Sequence, residues 1–403
     1  MPPVEPFVGL LYDRTRVGSI DAVSAPPYDV ISDDDRRRLR AASPFNVVRI
    51  LLGDEPTKPS PEAKYRVAAD EFRRWRDGGI LVPTDAPSLF PYEMTFRLDG
   101  EDRRVRGLVC AVPLGGEGSR ILPHEGTMPG PIEDRLELTR SIRANLSCIL
   151  AILRGPNAAL RGYLGSATDG PPAAEAIDEQ SVRHRLWVRP PEPAISRALA
   201  DEDLVIADGH HRFDMYLRYR DEMRERYGPG SWDRVMMLVV DAATEAPPVL
   251  PYHRVLRTGG AVLEGVPVPD LDVLLGRLDD AALRYGIVSR EHGGLVYRLG
   301  QVPGPPPTVL ALHRTVLDER VQDLTYTPDP AVAESFVRDG DAVAAFLLPR
   351  TGAATIHDVV DRGERLPRKS TFFWPKPRTG LVIRPLDVPE GVVSSPRPAP
   401  RAS

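Results

Sequence analysis

Leu204-Val205-Ile206-Ala207-Asp208-Gly209-His210-His211-Arg212 is a short apolar run that ends in Asp-Gly and turns into a polar, basic segment. Four consecutive apolar residues bounded by a turn signal predict a buried strand from Leu204 to Ala207. Phe213, Tyr216, Leu217 and Arg220 then recur at helical period, so the turn opens a helix. A second apolar strand, Val235 to Val240, completes a strand, turn, helix, strand unit of the kind that builds a mixed sheet. The expected fold class is α+β, of the mixed α/β kind. A glycine at such a turn lets backbone approach an anion closely, helix N-terminal amides point at it, and an arginine adds a planar fork for phosphate oxygens. Phosphate binding is therefore expected at Gly209, His210, His211 and Arg212. The plainer alternative makes Asp208 a helix cap, packs the two histidines or leaves them in solvent, and spends Arg212 on a surface pair. Zinc is disfavoured, because adjacent histidines rarely aim at one ion and no cysteine or third histidine lies nearby in sequence.

Outward from this segment, the chain reads as many short elements joined by rigid turns, with 43 Pro and 33 Gly in 403 residues. An N-terminal α/β region is expected over 1–118. It contains Pro26-Pro27-Tyr28-Asp29-Val30-Ile31, a Ser32-capped helix with Asp33-Asp34-Asp35 in its first turn, a helix from Glu62 to Arg76, a strand from Leu89 to Leu98, a charged turn and strand entry over Glu101 to Arg106, and a buried strand from Gly107 to Leu114. The middle region, 119–258, holds the quoted segment, a helix from Ile132 to Arg143, strand-like Cys148 to Leu153 and a Pro/Ala/Gly-rich stretch from Gly155 to Ala174. A C-terminal α/β region is expected over 259–386, with a helix from Asp270 to Tyr285, strands at Gly294 to Leu299 and Thr308 to Leu312, and a helix from Ala331 to Arg338. A Pro- and Ser-rich disordered tail is expected over 387–403.

Bulk composition narrows the partners. With 52 Lys and Arg against 57 Asp and Glu, the net charge of −5 supplies no broad attraction to nucleic acid or anionic membrane. No apolar run approaches the roughly 18 residues of a membrane span, and the first residues lack a signal-peptide pattern. A cytoplasmic protein, with a small-molecule substrate as partner, is expected; a homo-oligomer is left open. Cys110 and Cys148 sit among apolar residues, where inert buried thiols are expected.

Three further constellations carry chemistry-bearing residues. Pro123-His124-Glu125-Gly126-Thr127 precedes Glu133-Asp134-Arg135 and Asn145; a loop carboxylate beside a histidine suits a general base or a magnesium ligand, and Asp134 with Arg135 at a helix start can orient a substrate. The second is Pro251-Tyr252-His253-Arg254. The third is Leu366-Pro367-Arg368-Lys369-Ser370-Thr371, with Lys376 close behind. Lys369-Ser370-Thr371 matches the end of a Walker A loop, but the glycines that would wrap phosphates are absent, which leaves a basic turn able to close over a phosphate.

These strings, Pro26 to Ile31, His124 to Thr127 with Glu133 to Arg135, Asp208 to Arg212, Pro251 to Arg254 and Lys369 to Thr371, resemble the DUF 1015 family in order and in extent, spanning nearly the whole chain. Asp208 to Arg212 also resembles the phosphate-contacting turn of the ParB/sulfiredoxin superfamily, some members of which are free serine kinases using ATP or ADP. That resemblance implies a ParB/sulfiredoxin-like middle region in which Gly209, His210, His211 and Arg212 hold nucleotide phosphates, Asp208 contacts Mg²⁺ or the substrate hydroxyl, and Glu125 is the base. Glu125 precedes Asp208 by 83 residues (208 minus 125), a wider spacing than in compact kinases of this kind.

The expected function is a small-molecule kinase that moves a nucleotide phosphoryl group to the hydroxyl of serine or a similar amino acid. Phosphoryl transfer asks mainly for positioning and charge stabilisation. In this scheme Glu125, Asp208 and His210 are catalytic, His124, Thr127, Arg135 and Asn145 contact substrate, and His253 and Arg254 close the site, with Lys369 reaching the phosphates. A non-catalytic nucleotide-binding regulator, or a phosphatase using water as acceptor, would employ the same loop. DNA binding is the weakest alternative, since no helix-turn-helix with clustered basic residues is discernible.

Overall fold

The computed structural model describes residues 4–53, 63–115, 121–200, 202–259, 263–317 and 323–386. The expected tail, 387–403, lies outside the described residues. The fold is mixed α/β, as expected, and is organised by two sheets. The first has eight strands in the order Ile121–Leu122, Leu204–Asp208, Ile149–Leu153, Arg234–Val240, Glu101–Pro113, Phe90–Leu98, Arg183–Leu186, Ala174–Ile177. Leu204–Asp208 runs parallel to Ile121–Leu122 and antiparallel to Ile149–Leu153, which is in turn parallel to Arg234–Val240.

The central strands are apolar throughout because both sheet faces are covered, and side chains alternate between them. Val235, Met237 and Val239 join one core with Phe213, Tyr216 and Tyr219 of helix His210–Tyr227 and Ile132 and Leu136 of helix Pro129–Ile142. Met236, Leu238 and Val240 join the opposite core with Phe72 and Trp75 of helix Ala63–Asp77. Cys110 and Cys148 are buried, one on each side, and burial pushes both thiols up to about 12.

The second sheet has six antiparallel strands, ordered Val266–Val268, Gly294–Gln301, Arg284–Glu291, Ala344–Leu347, His253–Leu256, Leu324–Thr327. Helix Pro330–Arg338, capped by Asp329, covers one of its faces.

The expected region boundaries do not coincide with these sheets. Strands on both sides of residue 118 pair directly, Val235 opposite Val112, so 1–118 and most of 119–258 share one sheet. His253–Leu256 belongs instead to the second sheet. The chain from Phe372 onward returns to the first body, where Ile383 bridges Leu10 and Thr379 bridges Ala25.

Two expected elements are also corrected. The helix begun by the Asp270 cap ends at Leu275, because Gly276 and the Asp279 turn intervene before the chain extends into the Arg284–Glu291 strand of a hairpin. Thr308–Leu312 is a helix rather than a strand; all five residues are buried, and a short, fully buried run does not distinguish the two by period.

Candidate functional site

Where strand Leu204–Asp208 ends, its pairing with Ile149–Leu153 slips between Ile206 and Asp208, an irregularity that re-aims the strand end. Gly209 follows at φ 102°, a conformation glycine adopts without strain. Helix His210–Tyr227 then runs for 18 residues with no side chain capping its start, which leaves its first amides free to meet a ligand. They open on a cavity lined by distant segments: Tyr28 and Asp29, Glu125, Gly126 and Met128, Ala207 to Arg212, Tyr252, Arg368, Lys369 and Thr371, and Lys376. Four of the sequence constellations, and the Pro26 to Ile31 string, thus meet at one place.

Asp208 is the most heavily paired group there. Its Oδ1 accepts from Lys376 Nζ, and its Oδ2 accepts from Arg212 Nη2 at 2.5 Å. Burial alone would raise this carboxyl, but the two cations outweigh it and hold Asp208 well below the usual carboxylate range. Arg212 also donates to the Cys148 carbonyl and is 5% exposed. It is therefore a brace for Asp208 rather than the open phosphate fork expected of it. Both oxygens of Asp208, the expected magnesium contact, thus face cations; among the described residues no group of three or more His, Cys, Asp or Glu is arranged to hold a metal ion.

Glu125 is held differently. Its Oε1 accepts from Ser370 N at 3.1 Å, Thr371 N at 2.9 Å and Thr371 Oγ1 at 2.7 Å, while Oε2 receives no hydrogen bond among the described residues. Thr371 Oγ1 also lies 2.9 Å from His124 Nε2. Because Thr371 spends its proton on Glu125, His124 Nε2 is the donor. The His124 backbone N–H donates to His210 Nε2 at 3.3 Å, and the two rings meet edge to face at 4.5 Å. Burial first, and the neighbouring imidazole second, push His210 well below its ordinary value. His124 is lowered by burial too. Both rings are thus neutral supports of the loop. His211 Nε2 accepts from Met128 N at 3.1 Å, and burial lowers this imidazole as well.

The remaining expected substrate contacts lie off the cavity. Thr127 Oγ1 donates to Asp214 at 2.5 Å. Arg135 is bound by Asp134 and by the Leu51 carbonyl and stacks over Tyr28 at 4.6 Å. Asn145 is fully buried and accepts from Met236 N and Arg384 Nη1, each at 3.1 Å. His253 Nδ1 accepts from Leu348 N at 3.1 Å inside the second sheet, and burial pushes it down to about 4. Arg254 is fully buried. Its guanidinium donates to the carbonyls of Tyr252 at 2.6 Å and Lys369 at 2.9 Å and to His313 Nε2 at 3.0 Å, so it holds the Pro367 to Thr371 turn from beneath. Burial lowers it to about 10.

Lys369 lines the cavity at φ 54°, with Nζ 5.2 Å from the Tyr252 ring centroid. Asp29, Tyr28, Tyr252, Thr371 and Lys376 were not among the expected site residues, although each stands in or beside a motif string. Burial, with Asp29 adding to it, pushes the Tyr28 phenol up to about 12.

Comparison with solved structures finds partial likenesses at low identity. A free serine kinase in complex with AMP shares 13% identity at a TM-score of 0.38, with 66% of this chain and 86% of that one covered. A conserved hypothetical protein from Pyrococcus furiosus gives 14%, 0.37, 66% and 93%, and SbnI with a C-terminal truncation from Staphylococcus aureus gives 12%, 0.35, 68% and 87%. No curated protein matches. A family model described as "Protein of unknown function (DUF1015)" matches residues 4–266, which include every motif string above except Lys369 to Thr371. The chain belongs to the DUF1015 family.

Proposed function

We propose that the protein is a small-molecule kinase that transfers the terminal phosphoryl group of ATP or ADP to the hydroxyl of serine or a similar amino acid. The observation that carries this reading is the pairing, in one cavity, of an uncapped helix start with a carboxylate held by one oxygen only. Helix amides at His210 and His211 suit the negative charge of phosphates. Glu125, fixed through Oε1, keeps Oε2 for a hydroxyl proton. In the transfer, the hydroxyl oxygen attacks the terminal phosphorus as the bond from phosphorus to the bridging oxygen breaks. The proton passes to Glu125, and the nucleotide leaves one phosphate shorter. Magnesium brought in on the phosphates would keep mostly water ligands, and none of these steps needs it held by Asp208.

The sealed Asp208, Lys376 and Arg212 triad also suits a regulator that binds nucleotide without turning it over. Radiolabelled ATP and ADP incubated with a panel of hydroxy amino acids separates the two. A kinase labels at least one acceptor, and Glu125→Gln slows transfer by roughly 10²- to 10⁴-fold without weakening nucleotide binding. Binding without transfer to any acceptor would leave the regulator.

A further inference from the structure

Among the cavity's charged groups, Asp208, Lys376 and Arg212 satisfy one another, and Glu125 has an oxygen locked. Asp29 and Lys369 are different. They come from opposite ends of the chain and face each other with Oδ2 and Nζ 3.8 Å apart, beyond hydrogen-bond distance. Neither charged end has a hydrogen bond among the described residues, and their side chains are 31% and 38% exposed. An ion pair this loose and this open to water contributes little to stability.

We infer that Asp29 and Lys369 form a subsite for a zwitterion, the ammonium and carboxylate of a free α-amino acid, which would part the two side chains and exchange each partner for a better one. This rests on the kinase reading and assigns the residues that hold the two charges of its acceptor. An α-amino acid carries both charges on groups bonded to one carbon, which matches two opposite charges held a few ångströms apart. Asp29 takes the ammonium, with the rings of Tyr28 and Tyr252 in the same wall to favour a cation. Lys369 takes the carboxylate. It already stands over the Tyr252 ring, and Arg254 beneath it grips its carbonyl, so the side chain projects from a fixed backbone. The acceptor's hydroxyl is then left for Glu125. A phosphate would have no use for Asp29, whose charge would repel it.

The test compares three acceptors with the full chain: L-serine, 3-hydroxypropanoate, which lacks the ammonium, and ethanolamine, which lacks the carboxylate. L-serine is expected to lead each truncated acceptor in kcat/KM by roughly tenfold or more, as for a lost charged hydrogen bond. Asp29→Asn should collapse the preference over 3-hydroxypropanoate, and Lys369→Gln the preference over ethanolamine, with the nucleotide KM followed in parallel. Equal loss on all three acceptors, or unchanged preferences in both variants, overturns the subsite. If no acceptor is phosphorylated, the kinase reading fails, and the subsite is judged separately by saturation-transfer NMR with L-serine. Binding that Asp29→Asn abolishes upholds it; no binding to the unaltered protein overturns it.

Discussion

Replacing Asp208 by Asn tests whether the cation triad is as buried as it stands in the structure. The Asp208 side chain is 9% exposed, Lys376 9% and Arg212 6%. With the carboxylate present the three groups sum to one positive charge. With an amide there, two cations remain in the same dry space with no anion between them. Removing one partner from a buried pair costs about 3–5 kcal/mol, most of it from the charge left behind. Lys376→Met should cost less, because Asp208 keeps Arg212. Urea unfolding followed by tryptophan fluorescence reads the change as a shift in midpoint. Inorganic phosphate should restore more stability to Asp208→Asn than to the unaltered protein, since an anion at the uncapped helix start replaces the lost charge. Asp208→Asn within about 1 kcal/mol of the parent, well under the range for a broken buried pair, and indifferent to phosphate, would refute this view of the triad.

Other perturbations probe the supports of the site. Gly209→Ala places a Cβ 3.0 Å from the Arg212 guanidinium at φ 102°; a loss of about 1–3 kcal/mol and weaker phosphate binding are expected in denaturation and titration, and a neutral substitution would contradict the left-handed turn. Arg254→Met removes the donor to the Lys369 carbonyl, so the Ser370 and Thr371 amides should exchange hydrogen faster by mass spectrometry; unchanged protection would show that the turn does not depend on Arg254. Asp134 balances burial against Arg135, Lys64 and Tyr65, and its carboxyl falls to about 2. A depressed carboxyl contributes stability that is present above its unfolded value near pH 4 and lost as pH falls toward 2, here about 1–2 kcal/mol after discounting for partial exposure. Asp134→Asn should flatten that acid limb, and an unaltered limb would count against it.

The segment from Leu204 to Arg212 was legible because its signals are local. A four-residue apolar strand, a glycine and a helical repeat all lie within Leu204 to Arg220, and the structure forms those elements there. The pairing of Arg212 with Asp208, where a phosphate fork is expected, has a local reason as well. Asp208 and Arg212 stand four apart, a spacing that pairs charges along a helix, yet the same arginine in a turn also suits a phosphate. The slip after Ile206, which sequence period does not reveal, helps bring Asp208 to the cavity. Asp29, Tyr252 and Lys376 could not be placed from sequence, because what joins them is the pairing of distant segments. The return of the chain after Phe372, for example, sets Thr379 against Ala25 and Ile383 against Leu10. His253 and Asn145 show the converse. Polar residues in a motif can be bound to backbone amides inside a sheet, and their chemistry is then spent on the fold.

The proposed reaction is the transfer of a nucleotide phosphoryl group to a small hydroxyl in this cavity. Following protein, Mg²⁺, L-serine and either ATP or ADP by ³¹P NMR tests it most directly. A phosphomonoester resonance that grows as the terminal nucleotide phosphate declines, and that Glu125→Gln suppresses while nucleotide still binds, is the predicted result. Folded protein that yields no phosphorylated product from either nucleotide, with serine or any related hydroxy amino acid, would contradict it.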